Sequence, residues 1–339
     1  MKKHMERFEI GMKQSLDNKL VVVTGGAGFI GSGVIRMLND RGIDNILVVD
    51  DLASDGKWKN LVQKRFLDVI PSKDIFEWLD GKESEVDAFI HLGACSDTLE
   101  MNASYLLENN YRYSIKLAEW ALKYEKRFIY ASSAATYGMG DEGFEDNEAK
   151  LETLKPLNMY GYSKHLFDLW LKRENLLDQV VGLKYFNVFG PNENHKGRMA
   201  SAIMQLLPRV QEDKEIKLFK SLDHTRCKDG EQKRDFIYVK DAARITCDFL
   251  DNEAGGIFNV GTGIASTWNE LAEGLFLALG MKPKITYIDM PYLLSTQYQD
   301  YTKADVGKIK KLGMTAKMTS LKEAIDDYVK NYLLLERSW

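Results

Sequence analysis

The sequence predicts an α/β fold, a doubly wound parallel sheet carrying a smaller C-terminal α/β lobe. Three observations support this. The run Leu20-Val21-Val22-Val23 feeds directly into Thr24-Gly25-Gly26-Ala27-Gly28-Phe29-Ile30-Gly31, after which Ser32 to Asn39 has the character of a helix ending near Gly42. Further short apolar runs alternate with helical segments, the pattern of successive βα units. Several of these runs end in small or polar residues, at the strand ends where open α/β sheets bind ligands.

Composition bounds the rest. A chain of 339 residues is long enough for a large core, and suggests about two domains or one large α/β domain with an appendage. Hydrophobic content of 45% and charged content of 28% are ordinary for a soluble globular protein. A formal net charge of −4 offers no electrostatic basis for binding nucleic acid or an anionic membrane. No apolar run approaches the roughly 20 residues of a membrane span. Residues 1–18 are charged without an apolar signal core, so they are expected to extend outside the fold and the chain to be cytoplasmic. Cys95, Cys227 and Cys247 have no metal-like spacing and cannot all pair, which fits a reducing compartment and no metal site.

Each element then has a reason. The first strand is a continuous apolar run because a parallel strand is buried on both faces. In the glycine turn that follows, Gly25 permits the tight bend, Gly28 admits a pyrophosphate and Gly31 lets the helix pack on the strand with its N-terminus facing the anion. The turn, strand and helix together give a Rossmann-type dinucleotide fingerprint. A second strand, Ile46-Leu47-Val48-Val49, ends in Asp50-Asp51, about 20 residues on, where an acid meets the adenosine ribose. Lys57 and Lys59 follow; they either meet a 2′-phosphate or belong to a solvated loop. A third strand is expected to end near Asp68, pointing it at the adenine end.

The fourth strand, Ala88 to Leu92, closes on Gly93-Ala94, small residues suited to a bound cofactor. His91 there has no partner at ligand spacing and is expected to be a satisfied strand-end histidine. A helix from about Ala103 to Tyr124 carries Asn109-Asn110, amides that call for a structural hydrogen bond or a cofactor contact. The fifth strand, Arg127 to Ala131, delivers Ser132-Ser133 to the ligand end of the sheet, and with no Gly-x-Ser-x-Gly elbow the serine is expected to orient a substrate oxygen. Tyr160-Gly-Tyr-Ser-Lys164 begins a helix running to about Glu174. A lysine four residues after a tyrosine shares its helix face and can favour the phenolate. Beyond Pro191 come a helix from Met199 to Gln211, a strand Ile216–Phe219, a charged loop 221–233, a last sheet strand Gly256–Gly261 and a lobe strand Ile285–Ile288.

Together these features resemble the extended short-chain dehydrogenase/reductases of the nucleotide-sugar type. Narrower motifs are His91-Leu92-Gly93-Ala94-Cys95-Ser96, Ser132-Ser133-Ala134-Ala135-Thr136-Tyr137, Tyr185-Phe186-Asn187-Val188-Phe189-Gly190-Pro191 and His195-Lys196-Gly197. These resemble the ADP-glyceromanno-heptose 6-epimerases, from about Lys19 to about Tyr328. The resemblance implies epimerisation at C6″ of an ADP-heptose by transient oxidation to a ketone and re-reduction with bound NADP, a step toward lipopolysaccharide core. It implies Tyr160 and Lys196 as two acid/bases, Ser133 bonded to the reacting oxygen, and Lys164 lowering the Tyr160 pKa while holding the nicotinamide ribose. Implied cofactor positions are Gly25, Gly28, Phe29, Ile30, Gly31, Asp50, Asp51, Lys57, Asp68, Leu92, Gly93, Ala94, Cys95, Ser96, Asn109, Tyr160, Lys164 and Val188.

Implied substrate positions are Ser133, Asn187, Lys196, Arg198, Gln205, Phe219, Lys220, Ser221, Leu222, Arg234 and Tyr298, with Arg234 gripping the ADP phosphates unless it is spent on Asp235 or Asp241. Asp51 stands where an asparagine is common, Arg198 where a serine can occur and Gln205 where a histidine can occur. A carboxylate at Asp51 opposes a 2′-phosphate, so NAD stays open beside NADP. The implied organisation is residues 1–18 as extension, 19–186 plus about 236–263 as dinucleotide-binding domain, and 187–235 plus about 264–339 as substrate lobe. A homo-oligomer is implied, a homopentamer by the family. The alternatives are a UDP-hexose 4-epimerase, a 4,6-dehydratase, or a non-enzymatic relative that keeps the fold. Ala134 after Ser133 opposes the dehydratase, and the intact Ser133/Tyr160/Lys164 set opposes the non-enzymatic relative.

Overall fold

A computed structural model describes residues 20–295 and 298–339. The extension expected over residues 1–18 lies outside the described residues. Seven strands form the main sheet: β1 (Leu20–Thr24), β2 (Ile46–Val49), β3 (Asp68–Ile70), β4 (Val86–His91), β5 (Arg127–Ser133), β6 (Val181–Tyr185) and, after four short strands of the lobe, β11 (Gly256–Val260). Their order is β11-β6-β5-β4-β1-β2-β3, and every pairing is parallel. The order reverses between β1 and β4, which opens a crevice at the C-terminal ends of those strands.

The lobe holds three small ribbons. β7 (Asn187–Phe189) pairs parallel with β10 (Phe236–Tyr238), and β8 (Ile216–Phe219) parallel with β13 (Ile285–Ile288). β9 (Lys233–Arg234) pairs antiparallel with β12 (Ser266–Thr267). The longer helices are α1 (Phe29–Asp40), α2 (Tyr113–Lys123), α3 (Met159–Arg173), α4 (Ala202–Asp213), α5 (Val239–Asp248), α6 (Trp268–Ala278) and α7 (Leu321–Tyr328).

Side-chain alternation along each strand feeds two cores. Val21 and Val23 join Ile46, Val48 and Ile129 under α1 and α5. Leu20 and Val22 join Leu47, Phe89 and Phe128 under α2 and α3. Because both faces are covered, the strands need no polar positions, which is why they appear as unbroken apolar runs. A third core gathers Ile203, Leu207 and Val210 of α4, Leu271, Leu275 and Phe276 of α6 and Ile325 and Tyr328 of α7 around β8 and β10.

Three boundaries differ from the sequence expectations. α1 starts at Phe29 rather than Ser32, because the glycine turn passes straight into helical backbone. The helix expected from Ala103 is interrupted by a π-helical stretch, Leu107–Arg112, before α2. α4 starts at Ala202, capped by the Ser201 hydroxyl, with a 3-10 stretch Asn194–Met199 before it.

Candidate active site

The glycine turn is built for close approach. Gly25 has φ +66°, and a Cβ there would lie 2.6 Å from the Gly93 amide nitrogen. A Cβ on Gly31 would lie 2.1 Å from the Gly25 carbonyl oxygen, so α1 packs backbone to backbone on the turn. Asp50, at the end of β2, accepts the Ala27 amide at 2.9 Å and pairs with Lys57 at 2.7 Å. Asp51 accepts the Ser72 amide at 3.0 Å and the Ser72 hydroxyl at 2.5 Å. Lys57 is therefore an ion-pair partner and not a solvated loop lysine.

His91 is a satisfied histidine whose tautomer follows from its neighbours. The Ser114 hydroxyl donates to the Asn110 carbonyl at 2.6 Å, so it accepts the His91 Nε2 proton at 2.8 Å. The Thr24 oxygen accepts the Gly93 amide at 3.1 Å, which leaves its own proton for His91 Nδ1 at 2.6 Å. Burial first, then the Lys164 charge, pushes the imidazole down to about 3, so it stays neutral. This neutral ring binds the end of β1 to the end of β4. Asn110, in the π-helical stretch, donates to the Cys95 carbonyl at 2.9 Å, accepts the Cys95 amide at 2.9 Å and donates to the Ser163 hydroxyl at 3.0 Å. One amide thus aligns the 93–96 loop with the Tyr160 helix, and the local π geometry is what turns it inward.

Tyr160, Lys164 and Asp168 follow one face of α3 at four-residue spacing. Behind them lies a fully buried network. Lys184 donates to Asp168 at 2.7 Å and to Thr136 at 2.6 Å, while Tyr130 and Ser132 donate to the same carboxylate, each at 2.8 Å. Strand β5, strand β6 and α3 are riveted there. Burial raises the Tyr160 phenol above its ordinary value and the hydrogen bond with Ser133 opposes the rise. Lys164 is itself pushed down to about 8 by burial, with Asp168 opposing. Lys164 follows Tyr160 by one turn on the same face of this helix, and both line the cavity.

Lys196 comes from an irregular loop, and its ammonium sits 5.0 Å above the Phe29 ring. No described carboxylate lies within ion-pair distance of it. Burial lowers its pKa, and the charge of Glu193 opposes that shift. Glu193 is fully buried and gathers the loop: it accepts the Ser201 amide at 2.6 Å, the Ser201 hydroxyl at 2.5 Å and the Tyr328 hydroxyl at 2.9 Å. Asn192 faces the other way, accepting the Trp339 amide at 2.8 Å and donating to the Ser32 hydroxyl at 3.0 Å.

These elements enclose one cavity of about 740 Å³, within the range of small-molecule sites. Lining it are Gly25, Gly28, Phe29, Ile30, Gly31, Asp50, Asp51, Lys57, Leu92, Gly93, Ala94, Cys95, Ser96, Asn109, Ser133, Tyr160, Lys164, Asn187, Val188 and Lys196. Thr24, Asp55, Ser72, Tyr105, Tyr113, His195 and Met199 also line it, though none of them was expected as a site residue. His195 carried a signal, since it precedes Lys196 in the same triplet, and Thr24 another, since it ends β1 and opens the glycine turn; the rest had none.

Asp68 does not line the cavity. It opens β3 instead of closing it and accepts its neighbour Val69's amide at 2.7 Å, so the expected placement at the adenine end is corrected. Arg198 is exposed and pairs with Asp97 at 2.6 Å, bridging the two walls of the mouth. Gln205 is spent on the Arg198 and Ala200 carbonyls at 3.2 and 2.6 Å.

Phe219, Lys220, Ser221, Leu222, Arg234 and Tyr298 stand apart from this cavity in a second group. Gln232 donates to the Lys220 carbonyl at 3.1 Å, joining the 219–222 segment to β9. The Arg234 guanidinium is buried 5.1 Å from the Tyr298 ring and 6.0 Å from the Trp268 ring. Its pairing with Asp235 or Asp241 is not what forms: Asp235 accepts the amides of Thr262, Gly263 and Ala304, and Asp241 that of Thr319. Burial lowers the guanidinium's pKa; it donates to the Lys233 carbonyl at 2.8 Å and forms no ion pair among the described residues.

The chain matches the NAD dependent epimerase/dehydratase family over residues 21–261. It belongs to that family. It is similar to the ADP-L-glycero-D-manno-heptose-6-epimerase of Nitratidesulfovibrio vulgaris, with 48% identity over 93% of this chain and 98% of the relative. The enzyme of the same name from Fusobacterium nucleatum subsp. nucleatum is 43% identical over 94% of this chain and 100% of its own. Among solved structures, the crystal structure of Helicobacter pylori ADP-L-glycero-D-manno-heptose-6-epimerase has a TM-score of 0.74 at 29% identity, covering 93% of this chain and 96% of that one. The epimerase family's nicotinamide cofactor fits the residues present: the bare turn that any Cβ would fill, the acid ending β2 and the small residues after β4 form one continuous cradle. No described helix is long and apolar enough to cross a membrane.

Proposed function

We propose that the chain interconverts ADP-D-glycero-β-D-manno-heptose and ADP-L-glycero-β-D-manno-heptose at C6″, as a cytoplasmic homo-oligomer supplying lipopolysaccharide core, with NADP as its resident cofactor. The observation that carries this is the presence of two proton carriers, Tyr160 and Lys196, on separate elements of one cavity. The bound nicotinamide would supply reversible hydride uptake and return at the sugar carbon.

The oxygen on that carbon occupies different places in the two epimers, so a single acid/base is poorly placed for both. Tyr160, lining the cavity with Ser133, is positioned to take or give the proton of one epimer. Lys196, with its pKa lowered by burial, is positioned to do so for the other. Lys164 supplies positive charge beneath the phenol and a donor toward the ribose, and Lys57 beside Asp50 supplies positive charge where a 2′-phosphate would lie. Arg234, buried and in no ion pair among the described residues, suits the ADP phosphates as a bidentate donor.

The test is direct. Purified protein given ADP-D-glycero-heptose should form the L-glycero epimer without added reductant, followed by proton NMR of the sugar. No conversion, together with turnover of UDP-galactose, would sink the assignment.

A further inference from the structure

We propose that His195 is a phosphate-binding residue for the dinucleotide, reaching it from the lobe wall of the cavity with its Nε2–H. The inference rests on the nicotinamide-cofactor reading of this site.

His195 lines the cavity, half-buried, immediately before Lys196. Its Nδ1 lies 3.3 Å from the Asn60 amide nitrogen. The two protons of that nitrogen go to the Ala27 and Asn192 carbonyls, each at 3.0 Å, and an amide nitrogen accepts no hydrogen bond, so a proton on Nδ1 would face a donor group with nothing to receive it. The neutral ring therefore carries its proton on Nε2. Nε2 makes no hydrogen bond to any described residue, and His195 is among the residues that line the cavity.

The position selects the ligand chemistry. Asn60 joins His195 to Ala27 of the glycine turn, and Ala27 in turn binds Asp50, so the ring stands on the adenosine side of the cradle. Asp55, Lys196, Lys57 and Asp50 all act on it electrostatically. Burial lowers its pKa, Asp55 opposes the shift, and the two lysines add to it, which keeps the ring a neutral donor near pH 7. A neutral N–H between two lysines suits a group with several anionic oxygens, and a phosphate is the one a dinucleotide offers there. Two phosphates could fill the role, the 2′-phosphate of NADP or the pyrophosphate common to NADP and NAD. Either way, cofactor binding would also seat Lys196, the next residue in the chain.

The experiment titrates NADP and NAD into full-length protein freed of nucleotide, by isothermal titration calorimetry with no sugar present. His195→Phe keeps the ring and removes the donor, whereas His195→Gln returns an amide N–H near the Nε2 position. The phenylalanine variant is expected to bind about tenfold more weakly, the worth of one hydrogen bond to a charged group. The glutamine variant should recover most of that loss. A loss confined to NADP assigns the 2′-phosphate, and an equal loss for both assigns the pyrophosphate. Unchanged affinity in His195→Phe, or equal weakening in Phe and Gln, overturns the proposal. If His195→Phe does not fold by circular dichroism, His195→Ala is interpreted in the same way. Absence of heptose turnover with these affinities intact would count against the epimerase assignment and leave His195 standing.

Discussion

Tyr160 stands in the first turn of a fifteen-residue helix riveted to the sheet, whereas Lys196 stands in a short irregular loop. The rivet behind Tyr160 is a buried ion pair, Asp168 with Lys184, whose remaining oxygens and protons are satisfied by Tyr130, Ser132 and Thr136. The loop around Lys196 has no ladder of its own. It is held by Glu193 reaching Tyr328 and by Asn192 reaching Trp339, contacts that come from the far end of the chain. One proton carrier is thus fixed by regular structure and the other by assembly of distant segments. The difference teaches where tolerance to change should lie.

The largest effects should come from removing either carrier. Tyr160→Phe and Lys196→Met are each expected to lower kcat by about 10²–10⁴, with bound cofactor retained. Steady-state epimerisation and the nucleotide released on denaturation measure both. Unchanged turnover in Lys196→Met would remove it from the mechanism and leave the comparison without its second member.

Stability should separate the two halves next. Asp168→Asn strands the Lys184 charge in the core and should cost about 3–5 kcal/mol in urea unfolding. Glu193→Gln turns one acceptor into a donor against the Ser201 and Tyr328 protons and should cost about 1–3 kcal/mol. An equal or reversed order would show that the loop is no softer than the helix.

A pH dependence is expected at the end of β4, and between pH 7 and 5 it should amount to about 2 kcal/mol. His91 is neutral in the folded protein, pushed down to about 3 by burial, against an ordinary value of 6.5 when unfolded. Below pH 6.5 the unfolded chain binds a proton that the folded one refuses. Stability present above pH 6.5 is therefore lost as pH falls toward 3, by about 1.4 kcal/mol per unit. Melting temperatures should fall from pH 7 to 5, and His91→Gln should flatten that slope.

Much of the site was legible because it depends on short-range spacing. The glycine turn, the acid after β2 and the tyrosine-lysine pair are fixed by which residues a turn or a helix face brings together. Asp68 was misplaced because strand edges carry little signal: Asp68-Val69-Ile70 could close one run as easily as open the next. Asn110 was ambiguous because a helical pattern gives no sign of the π turn that points it at Cys95. Arg198 carried a substrate role on family resemblance, while its Asp97 partner is 101 residues away.

By itself the sequence determined the order of strands and helices, the cradle at the switch point and the Tyr160–Lys164 face, since each follows from local sterics and periodicity. Only the tertiary structure decided the His91 tautomer, the burial of Tyr160, the buried Asp168 rivet and the seating of His195 and Lys196. Those depend on hydrogen bonds and desolvation between segments far apart in the chain, and no spacing rule encodes them.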